Sequence, residues 1–280
     1  MRWRRAIYKA LNRRGARVAL AVAASAYASL KTRCACRMFY EGAWVHQYPA
    51  GIIVEPKLNL SVLSEIKQQA GDYWMYHYVP KPGEIVVDVG AGTGSETLFF
   101  SNLVGPTGCV VSIEAHPHIY SCLKEMCRRN RLNNVLCLNC AVTNCDSEVF
   151  ISNSEEYLTN NIFGSQSGFS VCGRTLDEIV ASLHLPRVDL LKMNIEGAER
   201  LAVAGMAMTV RMTSHVCIAC HDFLADRDSK EEMRSKSTVL AFLDQHGFDI
   251  VTRVFHPKPE VRDCVYGSKR REHVTPLAQT

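Results

Sequence analysis

Beyond Pro82, short apolar runs alternate with helical stretches, and this rhythm limits the fold more than any other feature of the chain. The runs lie at 85–89, 109–113, 135–138, 188–193, 216–219, 248–255 and 264–266. Helical periodicity occupies 96–103, 119–131, 176–183, 199–210 and 230–246 between most of them. Strands that take turns with helices pair in parallel, and a parallel sheet must be covered on both faces. The expectation is an α/β fold: a doubly wound, Rossmann-like sheet of seven strands with helices on both faces. Residues 81–270 would form that domain and 271–280 a tail. Residues 40–80 read as an accessory lead-in, with a hairpin around Pro49-Ala50-Gly51 and a helix near 61–70.

Residues 1–40 hold ten Lys or Arg and no acid, so a net charge of +4 hides a basic segment attached to a body with 22 basic and 28 acidic residues. Such a body is ill suited to binding nucleic acid over its whole surface. With 47% hydrophobic and 21% charged residues the chain is too apolar for disorder, and no uncharged run reaches membrane-spanning length. Arg5, Lys9, Arg13 and Arg17 fall on one stripe of a basic amphipathic helix, and 13 uncharged residues, 18–30, follow it. Residues 1–39 therefore read as a targeting or membrane-surface segment. An organellar transit peptide, mitochondrial or plastid, is favoured; a secretory signal or anchor and a retained membrane-contacting helix are the alternatives. Many of the twelve cysteines fall inside apolar or helical runs, which suits buried reduced thiols better than a disulfide framework.

The densest signal is Glu84-Ile-Val-Val-Asp88-Val-Gly90-Ala91-Gly92-Thr-Gly94-Ser-Glu96. An apolar strand leads into an acid, glycines recur at every second position, and a helix opens at once. Glycine permits a sharp turn and lets a ligand lie against the main chain, while the helix start offers free amides. Dinucleotide loops are spaced G-x-G-x-x-G. The G-x-G-x-G spacing here, with Asp88 ahead of it, favours a ligand bearing an ammonium group, S-adenosylmethionine, over a nicotinamide dinucleotide. Glu114 ends the next strand, where a carboxylate can accept hydrogen bonds from both ribose hydroxyls. Asn139-Cys140-Ala141, after the third strand, would lie beside an adenine ring.

These residues resemble the class I S-adenosylmethionine-dependent methyltransferases, and more narrowly the FkbM family. The likeness rests on Val87-Asp88-Val89-Gly90-Ala91, Ser112-Ile113-Glu114-Ala115-His116-Pro117, Asn130-x-x-Asn133 with Val135 and Ala141-Val142, and Thr175-Leu176-Asp177-Glu178. Its most specific part is Leu191-Lys192-Met193-Asn194-Ile195-Glu196-Gly197-Ala198-Glu199, similar to the family's L-K-I-D-x-E-G-x-E signature. The resemblance implies cofactor contacts from Asp88, Gly90, Ala91, Gly92, Gly94, Glu114, Ala115, Cys140 and Ala141. It places Lys192, Asn194, Glu196 and His221 at the catalytic end, facing the methyl donor. Asn194 stands where the family carries aspartate, and an amide cannot take a proton, so that role would pass to Glu196 or His221.

The implied activity is methyl transfer to an oxygen, or less readily a nitrogen, of a small, sugar- or lipid-like acceptor, without nucleic acid as partner. A binding or assembly protein on a degenerate methyltransferase fold is the alternative. Glu199 is most simply a helix-start acid favoured by the macrodipole. Cys217-x-x-Cys220-His221 imitates a haem attachment motif, but residues 216–219 read as a buried strand. Zinc held by Cys217, Cys220, His215 and His221 lacks a second ligand pair of similar spacing. No metal ligand set is expected. Trp44, Tyr73, Trp74 and Tyr76 are candidates for a lid or for the core, and the loops carrying acceptor contacts bear no readable motif.

Overall fold

The computed structural model describes residues 14–152, 168–228 and 230–270. Helix α1 (Arg14–Thr32) lies against the edge strand of a small antiparallel sheet, β1 (Arg37–Tyr40), β2 (Trp44–Tyr48) and β3 (Gly51–Glu55). Ala24 and Ala28, one turn apart, are both buried, and their small side chains permit close approach. On the same side, the amide of Met38 donates to Ser25 Oγ (2.8 Å) and that of Cys36 to Ser29 Oγ (2.9 Å). Two serines thus satisfy amides beside a strand edge that, among the described residues, no further strand pairs. The expected boundary at residue 39/40 falls inside β1, and the expected basic helix lies outside the described residues except at 14–17.

The main sheet is built on β4 (Ile85–Val89), β5 (Cys109–Ile113), β6 (Val135–Leu138), β10 (Val188–Met193), β11 (Thr213–Ala219), β12 (Phe248–Thr252) and β13 (Cys264–Lys269). Their order is β12-β13-β11-β10-β4-β5-β6, with only β13 running against the others. Helices α3 (Ser95–Val104) and α4 (Pro117–Asn130) follow β4 and β5. The alternation of side chains divides the core: Val86 and Val110 pack with Phe100 and Leu123, while Val87, Val89, Val111 and Ile113 pack with Leu176, Ile179 and Val203. Both faces are therefore apolar, which is why the strands read as continuous runs. The order reverses between β4 and β10, so a crevice opens at their carboxyl ends.

The lead-in is stitched to this domain by particular side chains. Asn130, at the end of α4, acts as a strand partner for β3: its Oδ1 accepts from Ile52 N (2.8 Å) and its Nδ2 donates to Ile52 O (2.7 Å). Helix α2 (Leu63–Tyr73) ends over the same face of the sheet, beside β13, where Tyr266 Oη donates to the Tyr73 carbonyl (2.9 Å).

Several boundaries differ from expectation. The 199–210 helix stops as α6 (Glu199–Ala204), because Gly205 packs against the Thr143 carbonyl; a Cβ there would sit 2.4 Å from that oxygen. The 230–246 helix begins only at α8 (Lys236–Gln245), where Asp222 Oδ1 accepts from the amides of Ser235 (2.8 Å) and Lys236 (3.0 Å). A third sheet, which the apolar runs do not foretell, is formed by β9 (Gly168–Arg174) pairing with β7 (Ala141–Val142) and β8 (Ser147–Ser152). Helices α5 (Leu176–Ser182), α7 (Asp222–Asp228) and α9 (Pro259–Arg262) complete the described chain.

Candidate active site

The glycine loop closes over the end of β4 as two amides, Gly90 and Ala91, donate to the Ile113 carbonyl at 2.9 and 3.0 Å. Each glycine has a positive φ and a different reason to be glycine. A Cβ on Gly90 (φ +73) would stand 1.9 Å from the Asn194 carbonyl, so this glycine lets β4 and β10 close on one another. Gly94 (φ +91) caps α3 and would strike Met126 and Leu123. Gly92 (φ +57) has nothing within 4 Å of its Cβ position and lines the crevice. It is the glycine whose bareness serves a ligand.

Glu114 braces the loop rather than standing apart from it. Its Oε2 accepts from Gly92 N (2.9 Å) and its Oε1 from His116 N (2.8 Å), which leaves each oxygen a lone pair for a vicinal diol. Burial raises the Glu114 pKa from its ordinary value, against the two amides that favour the charge. Asn139 holds the chain behind it, donating to the carbonyls of Glu114 (2.8 Å) and Ala115 (2.9 Å). Cys140, Ala141 and Ile119 form an apolar wall next to Glu114, suited to a flat heterocycle. This slot, the open Gly92 and the free lone pairs of Glu114 fit a nucleoside.

Asp88 and Lys192 depart from expectation. Both are almost fully buried and paired: Lys192 Nζ lies 2.8 Å from Asp88 Oδ1 and donates to the Gly90 carbonyl at 2.8 Å. Thr97 Oγ1 donates to Asp88 Oδ2 at 3.0 Å. Burial works against the Lys192 ammonium, but Asp88 and Glu96 outweigh it and hold its pKa above the ordinary value. Trp74 hydrogen-bonds Glu96 and lies over Lys192 with its ring centroid 4.8 Å from Nζ. Asp88 is thus neutralised from within and does not greet a cationic ligand, and Lys192 faces the loop instead of the methyl donor. Asp88, Lys192, Ala91 and Gly94 support the cradle without lining it, whereas Gly90, Gly92, Glu114, Ala115, Cys140, Ala141, Asn194, Glu196 and His221 line it.

The far end of the crevice is built by the turn after β10. Glu196 takes a left-handed conformation (φ +53), uncommon for a side-chain-bearing residue, and Gly197 (φ +92) follows, pressed against Met233. Holding a glutamate there costs roughly 1–3 kcal/mol, a cost typical of functional turns. Glu199 stands in the first turn of α6, as its position implies, but is fully buried there. Its Oε1 accepts from Ile195 N (3.1 Å) and lies 3.1 Å from His221 Nδ1, and its Oε2 accepts from Ser235 Oγ (3.0 Å). His221 Nε2 lies 3.5 Å from Glu196 Oε1. Burial pushes the His221 pKa down, but the charges and hydrogen bonds of Glu199 and Glu196 prevail and raise it to about 10. The imidazole is a cation that donates to both carboxylates, so it cannot accept a proton.

Because this folded pKa lies above the ordinary value of 6.5, the stabilisation is complete below about pH 6.5 and disappears as pH climbs to about 10. Urea midpoints measured across that window should fall, and the fall should shrink in Glu199→Gln. A flat profile in the unaltered chain would refute a protonated His221.

Between the two ends lies a crevice of about 570 Å³, within the size range of ligand pockets. A family model described as the methyltransferase FkbM domain matches residues 88–250. The chain belongs to the FkbM methyltransferase family. Among solved structures it is similar to methyltransferase FkbM from Methylobacillus flagellatus KT, with 17% identity and a TM-score of 0.47 over 69% of this chain and 49% of that one. The chain thus spans about half the length of that protein. A SAM-dependent methyltransferase from Aquifex aeolicus gives 18%, 0.41, 74% and 97% for the same measures. Aeropyrum pernix fibrillarin, solved with natively bound S-adenosyl-L-methionine, gives 14%, 0.44, 81% and 94%. Comparison with curated proteins gives no significant match.

Within this FkbM domain the haem- and zinc-like patterns dissolve. Cys217 Sγ faces Cys264 Sγ at 3.7 Å inside the sheet, and His215 stacks on Tyr78, away from His221. The aromatic candidates separate: Tyr73 and Trp74 line the crevice, Trp44 is buried in the lead-in, and Tyr76 packs on Tyr266. Glu96, Thr97 and Ser235 join the site only in three dimensions. Each lies in an ordinary helical context, and Ser235 is 36 residues from its partner Glu199, so no local spacing marks it.

Proposed function

We propose that the chain transfers a methyl group from S-adenosylmethionine to a hydroxyl oxygen of a small, sugar- or lipid-like acceptor. The observation that carries this is the pairing, in one crevice, of the Gly92–Glu114 nucleoside cradle with a strained glutamate held by a histidine cation. When bound, the cofactor supplies an electrophilic methyl on a sulfonium. The chain's own work is alignment and removal of the acceptor's proton. Glu196 is the base: His221 orients its carboxylate, and Asn194 beside it can bond a hydroxyl but cannot take its proton. Its crevice is shared with apolar and aromatic groups, Ile195, Phe223 and Tyr73, which supports an acceptor with an apolar or sugar-ring face.

Titration calorimetry of the full chain with S-adenosylmethionine and with its demethylated product tests the cofactor; no heat from either at millimolar concentration overturns the reading. Glu196→Gln should bind the cofactor normally and turn over roughly 10²-fold more slowly. Glu196→Gly should be inactive yet more stable by about 1 kcal/mol, because the left-handed strain is gone. Equal turnover by all three proteins removes Glu196 from the chemistry. The basic segment 1–39 supports delivery to an organelle; any removable part of it would lie ahead of the residues that bond β1, since Ser25 and Ser29 belong to the fold.

A further inference from the structure

The outward face of α1 is unlike that of an ordinary surface helix. Gly15, Val18, Ala19, Val22, Ala23, Ala26, Tyr27 and Leu30 are all exposed, and none is charged. Val18, Val22 and Leu30 are 64%, 66% and 81% exposed, although the opposite face is already satisfied by packing on β1. A surface helix normally turns its charges to water, and among the described residues none covers this uncharged stripe. The helix is not long and apolar enough to cross a membrane. Its C-terminal end is tied to the body by the Lys31–Glu65 ion pair at 2.8 Å, which keeps the helix lengthwise on the surface.

The surroundings of the stripe identify its partner. Seven basic residues, Arg2, Arg4, Arg5, Lys9, Arg13, Arg14 and Arg17, accompany its start, and Lys31, Arg33 and Arg37 its end, with no acid before Glu41. Arg33 and Arg37 are exposed. An uncharged stripe between two basic ends matches a surface that is apolar just below a layer of negative charge. We propose that α1 lies flat on an anionic phospholipid membrane, with Val18, Val22 and Leu30 in the headgroup–acyl boundary and the exposed Arg33 and Arg37 against lipid phosphates. This inference is independent of the methyl-transfer reading, since no residue of the crevice takes part.

The test is co-sedimentation of the full chain with phosphatidylcholine vesicles, with and without phosphatidylserine. Binding should require the anionic lipid and fall as salt rises. Val22→Asp/Leu30→Asp should lower partitioning roughly tenfold or more, while Val22→Ser/Leu30→Ser lowers it less. Because both positions are exposed, thermal unfolding and cofactor affinity should not change in either variant. Binding to neither vesicle, or equal binding to both, overturns the proposal. So does sedimentation equilibrium showing a dimer that Val22→Asp/Leu30→Asp dissolves, since the stripe would then be covered by a second copy of the chain. Loss of S-adenosylmethionine binding with vesicle binding intact would count only against the methyl-transfer reading.

Discussion

Lys192→Met should cost about 3–5 kcal/mol of folding stability, because it strands the buried Asp88 carboxylate beside Glu96 with no cation between them. Length and the aliphatic stem are nearly preserved by the exchange; what is lost is the charge and the bond to the Gly90 carbonyl. Urea unfolding followed by circular dichroism measures the cost. The double variant Asp88→Asn/Lys192→Met should recover a large part of it, since both ionic partners are then gone and only neutral groups remain buried. A loss below about 1 kcal/mol in the single variant, the range of an exposed ion pair, would mean that the pair does not carry the loop. Cofactor affinity should fall even where the variant stays folded, because Lys192 is the bracket that holds the glycine turn.

Gly90→Ala should be comparably severe for a different reason. A side chain in the left-handed region costs roughly 1–2 kcal/mol, and driving a Cβ to 1.9 Å from the Asn194 carbonyl adds an overpacking cost of roughly 1–3 kcal/mol or more. The two strands must part, and the turn that carries Asn194 and Glu196 moves with them. Gly92→Ala is the matched control. Its φ is also positive but its Cβ meets nothing, so it should lose about 1 kcal/mol of stability. Its new methyl projects toward the crevice, so S-adenosylmethionine binding should weaken. Thermal melts and calorimetry on the two variants separate the roles. If Gly92→Ala unfolds the chain while Gly90→Ala does not, the assignment of the two glycines is reversed.

All seven main strands were visible as apolar runs, because a sheet covered on both faces demands apolar side chains in succession. The glycine loop and Glu114 were visible because their chemistry is local: a strand, a turn and a helix start within a dozen residues. The third sheet was not, because β8 and β9 are separated by 15 residues and half-exposed, and such strands carry only a weak alternation. Glu199 is the helix-start acid its position implies, but its burial is illegible for a related reason. An acid at a helix start is usually explained by the helix itself, and only the arrival of His221 and Ser235 from other elements shows it to be buried and bonded.

The sequence by itself determined the sheet, its crevice, the cradle for a nucleoside and the family, since each follows from patterns a few residues long. The tertiary structure alone decided charge states and roles. Asp88 is cancelled by a lysine 104 residues away, and His221 is a cation because two carboxylates converge on it from the turn after β10. Whether a group is charged depends on its burial and on its neighbours in space, and neither is written in the residues beside it in the chain.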